Sequence, residues 1–587
     1  MRTANPAPRG PHTAAGSPAS RYRPPAPVTL AGRRWPDNAV TASPRWLSTD
    51  LRDGNQSLAR PMSPDRKLEM FELLVRMGYR EIEVGFPVAS QDDFTFVRTL
   101  VERDLIPDDV RVSVLVQARD ELIRRTVESL EGAPRATIHL YNATSPLFRR
   151  LVFGTSRDEC KDLAVQGAHL VMKYADKLLG DCDLGFQYSP ELFNETELDF
   201  SLEVCEAVMD VWQPEAGREI ILNFPTTVER ALPNVFADQI EWLDRNLSRR
   251  EHLCLSVHPH NDRGTGVAAA ELALLAGAER VEGCLFGNGE RAGNVCLVTL
   301  GLNLLTHGVD PGVDFSDLDA VRRTVERCNG IAVHPRHPYG GDLVHTAFSG
   351  SHQDAIKKGF DARDRAGAEA TGLPWDVPYL PIDPRDVGRA YEAVVRITSQ
   401  SGKGGVAYVL SARHGMNPPR AMQAEFARVV QARADAEGGE IAPEEIGGLF
   451  AREYFEYPAL PVPLVFAGRL VTAELHVDGE PFDLGEARAA LVRGVADALA
   501  DWGVEVRAVH HAAGAPAAAG READERVVVY AECRVDGETA WGAGAGPDAA
   551  AACLPAVRAA VTRVYLATAT CGVPAPRPSG TPAIAAR

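Results

Sequence analysis

Leu253-Cys254-Leu255-Ser256-Val257-His258-Pro259-His260-Asn261-Asp262 is an apolar run that turns polar at its end. Side chains two apart in a strand point to one face, so His258 and His260 project together from a strand's C-terminal end. Paired imidazoles are a metal-ligand arrangement, although a lone His-x-His also recurs by chance on protein surfaces. Its weight depends on whether the fold delivers a carboxylate beside it.

Working outward, seven more apolar runs of strand length lie at 46–48, 81–84, 110–115, 136–140, 184–187, 220–223 and 281–284, with helix-like stretches between them. The first helix is well marked. Ser63 stands as N-cap, Pro64 at the first helical position, Leu68, Phe71, Leu74 and Val75 on one face, and Gly78 as terminator. Eight strand-helix units in about 260 residues predict a closed (β/α)8 TIM barrel, an α/β fold. A doubly wound open sheet fits less well, because no Gly-x-Gly-x-x-Gly turn follows the first strand.

A barrel puts its chemistry in the loops after the strands' C-terminal ends. Those positions hold Asp50-Leu51-Arg52-Asp53-Gly54-Asn55-Gln56 after the first strand, His139 to Asn142 after the fourth and Tyr188 to Glu191 after the fifth. Asn223 to Glu229 follow the sixth, and Gly287-Asn288-Gly289-Glu290-Arg291-Ala292-Gly293-Asn294 the eighth. Asp53 supplies a carboxylate for His258 and His260, and Asn294 a neutral oxygen. Such mixed nitrogen and oxygen ligation leaves sites open, as a catalytic divalent cation requires, and suits Mg, Mn or Zn alike. Blander readings exist for each segment: Arg52 and Asp53 as a rim ion pair, the Gly-Asn-Gly-Glu stretch as a tight turn, His139 as a satisfied core histidine. Their concurrence at one end of successive strands favours a site.

Composition narrows the function further. The chain has 587 residues, 45% of them apolar and 24% charged, which suits a soluble protein of several domains. A net charge of -18 argues against a nucleic-acid binder. The ten cysteines include no Cys-x-x-Cys pair and read as reduced thiols of a cytoplasmic protein. No apolar run is long enough to cross a membrane. Residues 1–40, rich in Pro, Ala and Arg, and residues 573–587 read as a disordered N-terminal extension and tail. The rest divides into a catalytic barrel at 41–325, linker subdomains of helical character at 326–458 and a C-terminal domain at 459–572.

Several motifs now carry a family resemblance. The Asp50 to Gln56 stretch, Glu83-Val84-Gly85-Phe86-Pro87, His258-Pro259-His260-Asn261-Asp262-Arg263-Gly264 and Gly287-Asn288-Gly289-Glu290-Arg291 together resemble the 2-isopropylmalate synthase family of the long actinobacterial type. Tyr339-Gly340-Gly341-Asp342, Ser349-Gly350-Ser351-His352-Gln353-Asp354-Ala355 and Pro378-Tyr379-Leu380-Pro381-Ile382-Asp383-Pro384 extend the likeness past the barrel. The resemblance implies an acyltransferase that condenses acetyl-CoA, its co-substrate, with 2-oxoisovalerate, as the first committed step of leucine biosynthesis. It implies Asp53, His258, His260 and Asn294 as metal ligands, and Arg52, His139, Ser189, Glu191 and Thr227 as the oxo-acid pocket. Arg52 would stabilise the developing oxyanion, and His352, assisted by Tyr379 and Glu191, would take the methyl proton of the thioester. It also implies a homodimer with active sites shared across the subunits. Related enzymes that make citramalate or homocitrate share this machinery, and a lyase resembling 3-hydroxy-3-methylglutaryl-CoA lyase is the reading from another class.

The C-terminal region repeats itself: Ala473-Glu474-Leu475-His476-Val477-Asp478-Gly479-Glu480 recurs as Ala531-Glu532-Cys533-Arg534-Val535-Asp536-Gly537-Glu538. Each copy reads as a strand, an Asp-Gly hairpin turn and a helix, which makes a small α+β domain. It resembles the family's regulatory domain, which takes leucine as effector. In the second copy Gly542, Gly544 and Gly546 read as a glycine-rich turn between strand and helix, open to a ligand; the first copy has Pro481 to Glu486 instead. Ala292 and Cys296 depart from the family's pattern beside Asn294.

Overall fold

The strand expected at 46–48 forms as β1 (Arg45–Ser48), which pairs in parallel with β2 (Glu81–Gly85) on one side and β8 (Arg280–Gly283) on the other. Between them run β3 (Arg111–Gln117), β4 (Arg135–Ala143), β5 (Asp183–Glu191), β6 (Ile220–Thr226) and β7 (Leu253–Pro259), closing an eight-stranded parallel barrel. The computed structural model describes residues 28–347, 350–368, 372–389, 403–437, 441–455, 504–513, 527–535 and 537–570. The first helix, α1 (Pro64–Met77), starts where its caps predict: the Ser63 side chain accepts the Arg66 N–H, and Gly78 closes it at φ 97°. Phe71 and Leu74 are buried beneath it.

Strands β4 to β7 run further than the apolar runs suggested. Ser189, expected in the loop after β5, lies within that strand, and His139, Asn223 and His258 are likewise strand residues. Their backbones are held by the ladders, while their polar side chains meet one another inside the barrel. Gln187 of β5 donates to Glu282 of β8 at 2.6 Å, and Arg280 of β8 donates to Glu81 of β2 at 2.7 Å. Neither pair of strands is adjacent in the sheet, so both bonds cross the interior. Barrel cores are commonly filled by branched apolar residues, but this one carries ionic and amide contacts that begin at the strands' N-terminal ends, with Glu81 and Arg280, and reach up to Glu282.

The N-terminal extension was expected to run loose to residue 40. Its described part is instead tied to the helix Pro233–Asn246: Arg33 pairs with Asp238, the Trp35 indole N–H donates to Asp238 at 2.8 Å, and the Arg34 and Trp35 backbone N–H groups donate to Glu241. Two acidic side chains on one helix face supply a hold that composition could not reveal. Residues 1–27 and the tail from 571 lie outside the described residues.

The chain divides into two compact units, the first ending at Val344 and taking back Arg385–Arg389. The second contains the helices Gly350–Ala366, Lys403–His414, Arg420–Glu437 and Pro443–Tyr454. It also contains an antiparallel sheet of β9 (Val504–Ala513), β10 (Val527–Val535) and β11 (Glu538–Gly546), and the helix Ala549–Thr570. The second sequence copy forms the expected hairpin, with Val535 paired to Glu538 across a two-residue turn. The first copy, 473–480, lies outside the described residues.

One expectation fails here. Gly542, Gly544 and Gly546 are not a turn but part of β11, where a Cβ on Gly542 or Gly544 would stand 2.1 Å from the carbonyl oxygen of Ala556 or Ala552. The helix Ala549–Thr570 fills the space over these glycines, because only a strand without side chains lets its backbone approach so closely. The same helix is pinned by Arg563, whose guanidinium donates to Glu425 at 2.7 Å and Glu453 at 2.6 Å and lies over the Tyr454 ring.

Candidate active site

Beyond β1 the chain winds into a single π-type turn, Asp50–Gly54, that carries Arg52 and Asp53. Such turns recur at functional sites because the extra residue swings side chains off the regular helical face. Asp50 anchors it: both carboxylate oxygens accept the Leu285 N–H, and the Ser48 hydroxyl donates at 2.8 Å. Complete burial pushes the Asp50 carboxyl up to about 7, against the pull of those donors.

Asp53 reaches the two histidines of β7. Its Oδ2 lies 3.7 Å from His258 Nε2 and 3.6 Å from His260 Nε2. These separations are too long for hydrogen bonds, yet ligands each about 2.1 Å from one cation stand roughly 3.0–3.4 Å apart. The two imidazoles are stacked, with centroids 5.2 Å apart and planes 12° from parallel. Asn294 joins the group: its Oδ1 accepts from His258 Nε2 at 2.6 Å and its amide donates to Asp53 Oδ2 at 2.7 Å. The Nδ1 of His260 is buried without a hydrogen-bond partner among the described residues. Asp53, His258 and His260 form a buried donor set whose atoms lie within 4.8 Å of one another, and the residues fit a divalent cation.

The glycines after β8 shape this corner. A Cβ on Gly289 would strike the Asn294 amide at 2.1 Å, and one on Gly293, at φ 94°, would strike the Gly287 carbonyl oxygen. The segment is indeed a tight turn, wrapped around Asn294. Cys296, the departure noted in sequence, caps the helix Leu297–Thr306: its Sγ accepts the Thr299 N–H at 3.3 Å and meets His337 Nε2 at 3.3 Å. Burial pushes this thiol up to about 11, so it stays protonated and structural.

A second chain of contacts starts at Arg52. Its Nη1 donates to Asp53 at 2.9 Å and its Nε to Glu83 at 2.5 Å, so the rim ion pair exists, inside the site. Glu83 also meets His139 Nδ1 at 2.7 Å; a carboxylate only accepts, so that nitrogen carries the hydrogen. The other His139 nitrogen faces Ser189 Oγ at 2.7 Å, and Asn223 donates to the same hydroxyl at 3.0 Å. His139 is therefore both a satisfied core histidine and a wall of the site.

Charges here are set by burial and neighbours. Burial alone would raise Asp53 and Glu83, but the Arg52 guanidinium, with the nearby histidines, holds both carboxyls below the usual range. Glu191 goes the other way: burial raises it and Arg52 offsets only part. For His258, burial pulls down, while Asp53 and Glu282 outweigh it and push the imidazole up to about 10. His260, buried beside His258, falls to about 4.

These groups surround one cavity of about 620 Å³. Arg52, Asp53, His139, Ser189, Glu191, Thr227, His258 and His260 all line it; Asn294, 1% exposed, does not, and reaches the site through its bonds to Asp53 and His258. Leu115, Tyr141, Phe86 and Pro225 add an apolar wall, a role that sequence reasoning did not assign. It also missed the roles of Glu83, Glu282, Arg280 and Gln187, for which the available signal was a charged or amide residue within a strand or, for Arg280, at its start. His352 and Tyr379 belong to the second unit, where their rings stack with centroids 3.9 Å apart. Tyr379 is 61% exposed and held at φ 64°, a left-handed conformation that non-glycine residues rarely adopt.

Residues 43–325 match the HMGL-like family, and residues 342–411 match the family described as alpha-isopropylmalate synthase, post-catalytic domain-like. A protein of Streptosporangium roseum named 2-isopropylmalate synthase is 73% identical over 93% of this chain and 95% of its own length. Proteins of the same name from Thermobifida fusca and Cupriavidus taiwanensis are 58% and 54% identical, each over 93% of this chain and over 98% and 95% of their own lengths.

Proposed function

We propose residue roles for a chain that belongs to the 2-isopropylmalate synthase family, matching its members almost end to end. The enzyme condenses acetyl-CoA with 2-oxoisovalerate and water, giving 2-isopropylmalate and CoA in leucine biosynthesis. Its barrel family depends on a divalent metal. The observation that best supports the roles is the convergence of Asp53, His258 and His260 on one point beside Arg52 in a single cavity.

In this reading Asp53, His258, His260 and Asn294 hold the metal, which is Mg, Mn or Zn. Bound there, a divalent cation supplies Lewis-acid polarisation of the oxo acid's carbonyl. Arg52, fixed by Glu83 and Asp53, turns its remaining guanidinium edge toward the oxo acid and stabilises negative charge on the keto oxygen. His139, Ser189 and Thr227 orient the acid, with Glu191 beside them. His352 acts as the base, assisted by Tyr379 and Glu191. It removes a methyl proton from acetyl-CoA, and the carbanion bonds to the keto carbon. The carbonyl electron pair passes to oxygen, which takes up a proton. Water then cleaves the thioester, and CoA leaves as its thiol.

Sharing of the site across a homodimer and leucine as effector complete the proposal. The stacked His352 and Tyr379 pair, in a unit separate from the barrel, supports the first; the hairpin and helix of the second repeat support the second. A thiol-release assay with a panel of 2-oxo acids tests the roles: release is expected with 2-oxoisovalerate, and wild-type rates in His352→Ala would remove His352 as base. Sedimentation gives the oligomeric state. Leucine calorimetry that shows no heat, with no inhibition of thiol release, would remove the effector.

A further inference from the structure

We propose that Glu282 is a positioning residue for the metal-binding imidazole of His258, holding its Nδ1–H so that Nε2 is the atom turned to the cation. This rests on the reading of His258 as a ligand and deepens it.

The geometry is specific. His258 Nδ1 lies 2.8 Å from Glu282 Oε2, and Glu282 is fully buried. A carboxylate offers no hydrogen, so Nδ1 must carry one, and Nε2 is the nitrogen that can give up its proton and offer its lone pair to a cation. Nε2 is the ring atom that faces Asp53 and Asn294. The other oxygen of Glu282 accepts from Arg280 at 2.7 Å and from Gln187 at 2.6 Å. Donors from β5, β7 and β8 thus fix the carboxylate in three directions, and it cannot rotate away from the imidazole.

The support continues downward. Arg280, 1% exposed, also donates to Ser256 at 3.0 Å and to Glu81 at 2.7 Å, and Glu81 is in turn paired with Arg45 at 2.8 Å. An ionic line therefore runs from the start of β1 to His258. Buried ion pairs are commonly no more stabilising than an apolar layer of the same volume, so stability alone does not account for it. The two histidines also differ: His260 Nδ1 has no partner among the described residues, so only His258 is held from behind.

Titration of the full-length protein with Mn2+, followed by electron paramagnetic resonance, tests the proposal. Glu282→Gln is expected to weaken Mn2+ binding about 10–100-fold. Glu81→Gln, which removes a partner of Arg280 but touches neither Glu282 nor His258, is expected to lower the melting temperature and to weaken Mn2+ binding far less than Glu282→Gln does. A folded E282Q with wild-type affinity overturns the proposal, as does an E81Q that weakens binding as much as E282Q. Should E282Q fail to fold, proton NMR of the Co2+-loaded wild-type protein decides. A hyperfine-shifted, slowly exchanging ring N–H from His258 is expected, and its absence overturns the assignment. If His258→Ala binds Mn2+ as tightly as wild type, the metal site itself falls and this proposal with it; if only E282Q is unaffected, this proposal alone falls.

Discussion

Asp50 accepts the backbone N–H of Leu285 on both carboxylate oxygens, at 3.2 and 3.1 Å, and so ties the turn after β1 to the turn after β8. One turn carries Arg52 and Asp53 and the other leads to Asn294, so this contact sets the spacing across the candidate site. Its carboxyl, pushed up to about 7 by burial, is neutral in the fold over a range where the unfolded chain ionises it. The stabilisation is complete below about pH 4 and is lost as pH rises through about 7, with a slope of up to about 1.4 kcal/mol per pH unit between them. Asp50→Asn should abolish that component. Urea midpoints of barrel unfolding at pH 5 and pH 7 are expected to differ more in wild type than in D50N; equal differences would refute the assignment.

Asp53→Ala and His258→Ala should each reduce thiol release at least about 1,000-fold, because on the proposed roles each removes a ligand of the polarising cation. Chelation should likewise silence the wild-type enzyme. Restoring it with Mg2+, Mn2+ or Zn2+ in turn identifies the metal that supports turnover, and near-normal activity in either variant would remove the site.

Arg52→Lys keeps the charge but loses the fork that grips Glu83 and Asp53 at once. A lysine point charge cannot hold two carboxylates in fixed directions while facing a substrate. The expected result is a fall in kcat of about 100–1,000-fold, the range seen when one oxyanion donor is removed, with a smaller change in KM. A KM effect alone would assign Arg52 to binding only.

Gly544→Ala should loosen the C-terminal helix. Its Cβ would stand 2.1 Å from the Ala552 carbonyl oxygen, an overlap that rotation of a side chain cannot relieve. Overpacking of this kind costs about 1–3 kcal/mol or more. Hydrogen exchange along Ala549–Thr570 should therefore accelerate in G544A and stay unchanged along the barrel strands; unaltered protection in the helix would contradict the packing.

The eight strand-helix units and the residues Arg52, Asp53, His258, His260 and Asn294 were legible in the chain, because each depends on short-range signals: an apolar run, a cap, and a polar residue where the run ends. The apolar runs understated β4 to β7, since strands whose inward faces turn polar near the mouth no longer look like strands there. The Gly542, Gly544 and Gly546 run reads identically in sequence whether it is a turn awaiting a ligand or a strand under a helix, and only the packing of Ala549–Thr570 separates the two.

The sequence by itself determined that a barrel forms and which residues stand at its mouth, because strand period and chain order are local properties. Only the tertiary structure decided that Glu282 backs His258, that Glu83 joins Arg52 to His139, and that Gln187 crosses the barrel to Glu282. Those partnerships depend on the register with which distant strands close, Ser48 against Gly283 at the seam, and no spacing along the chain records it.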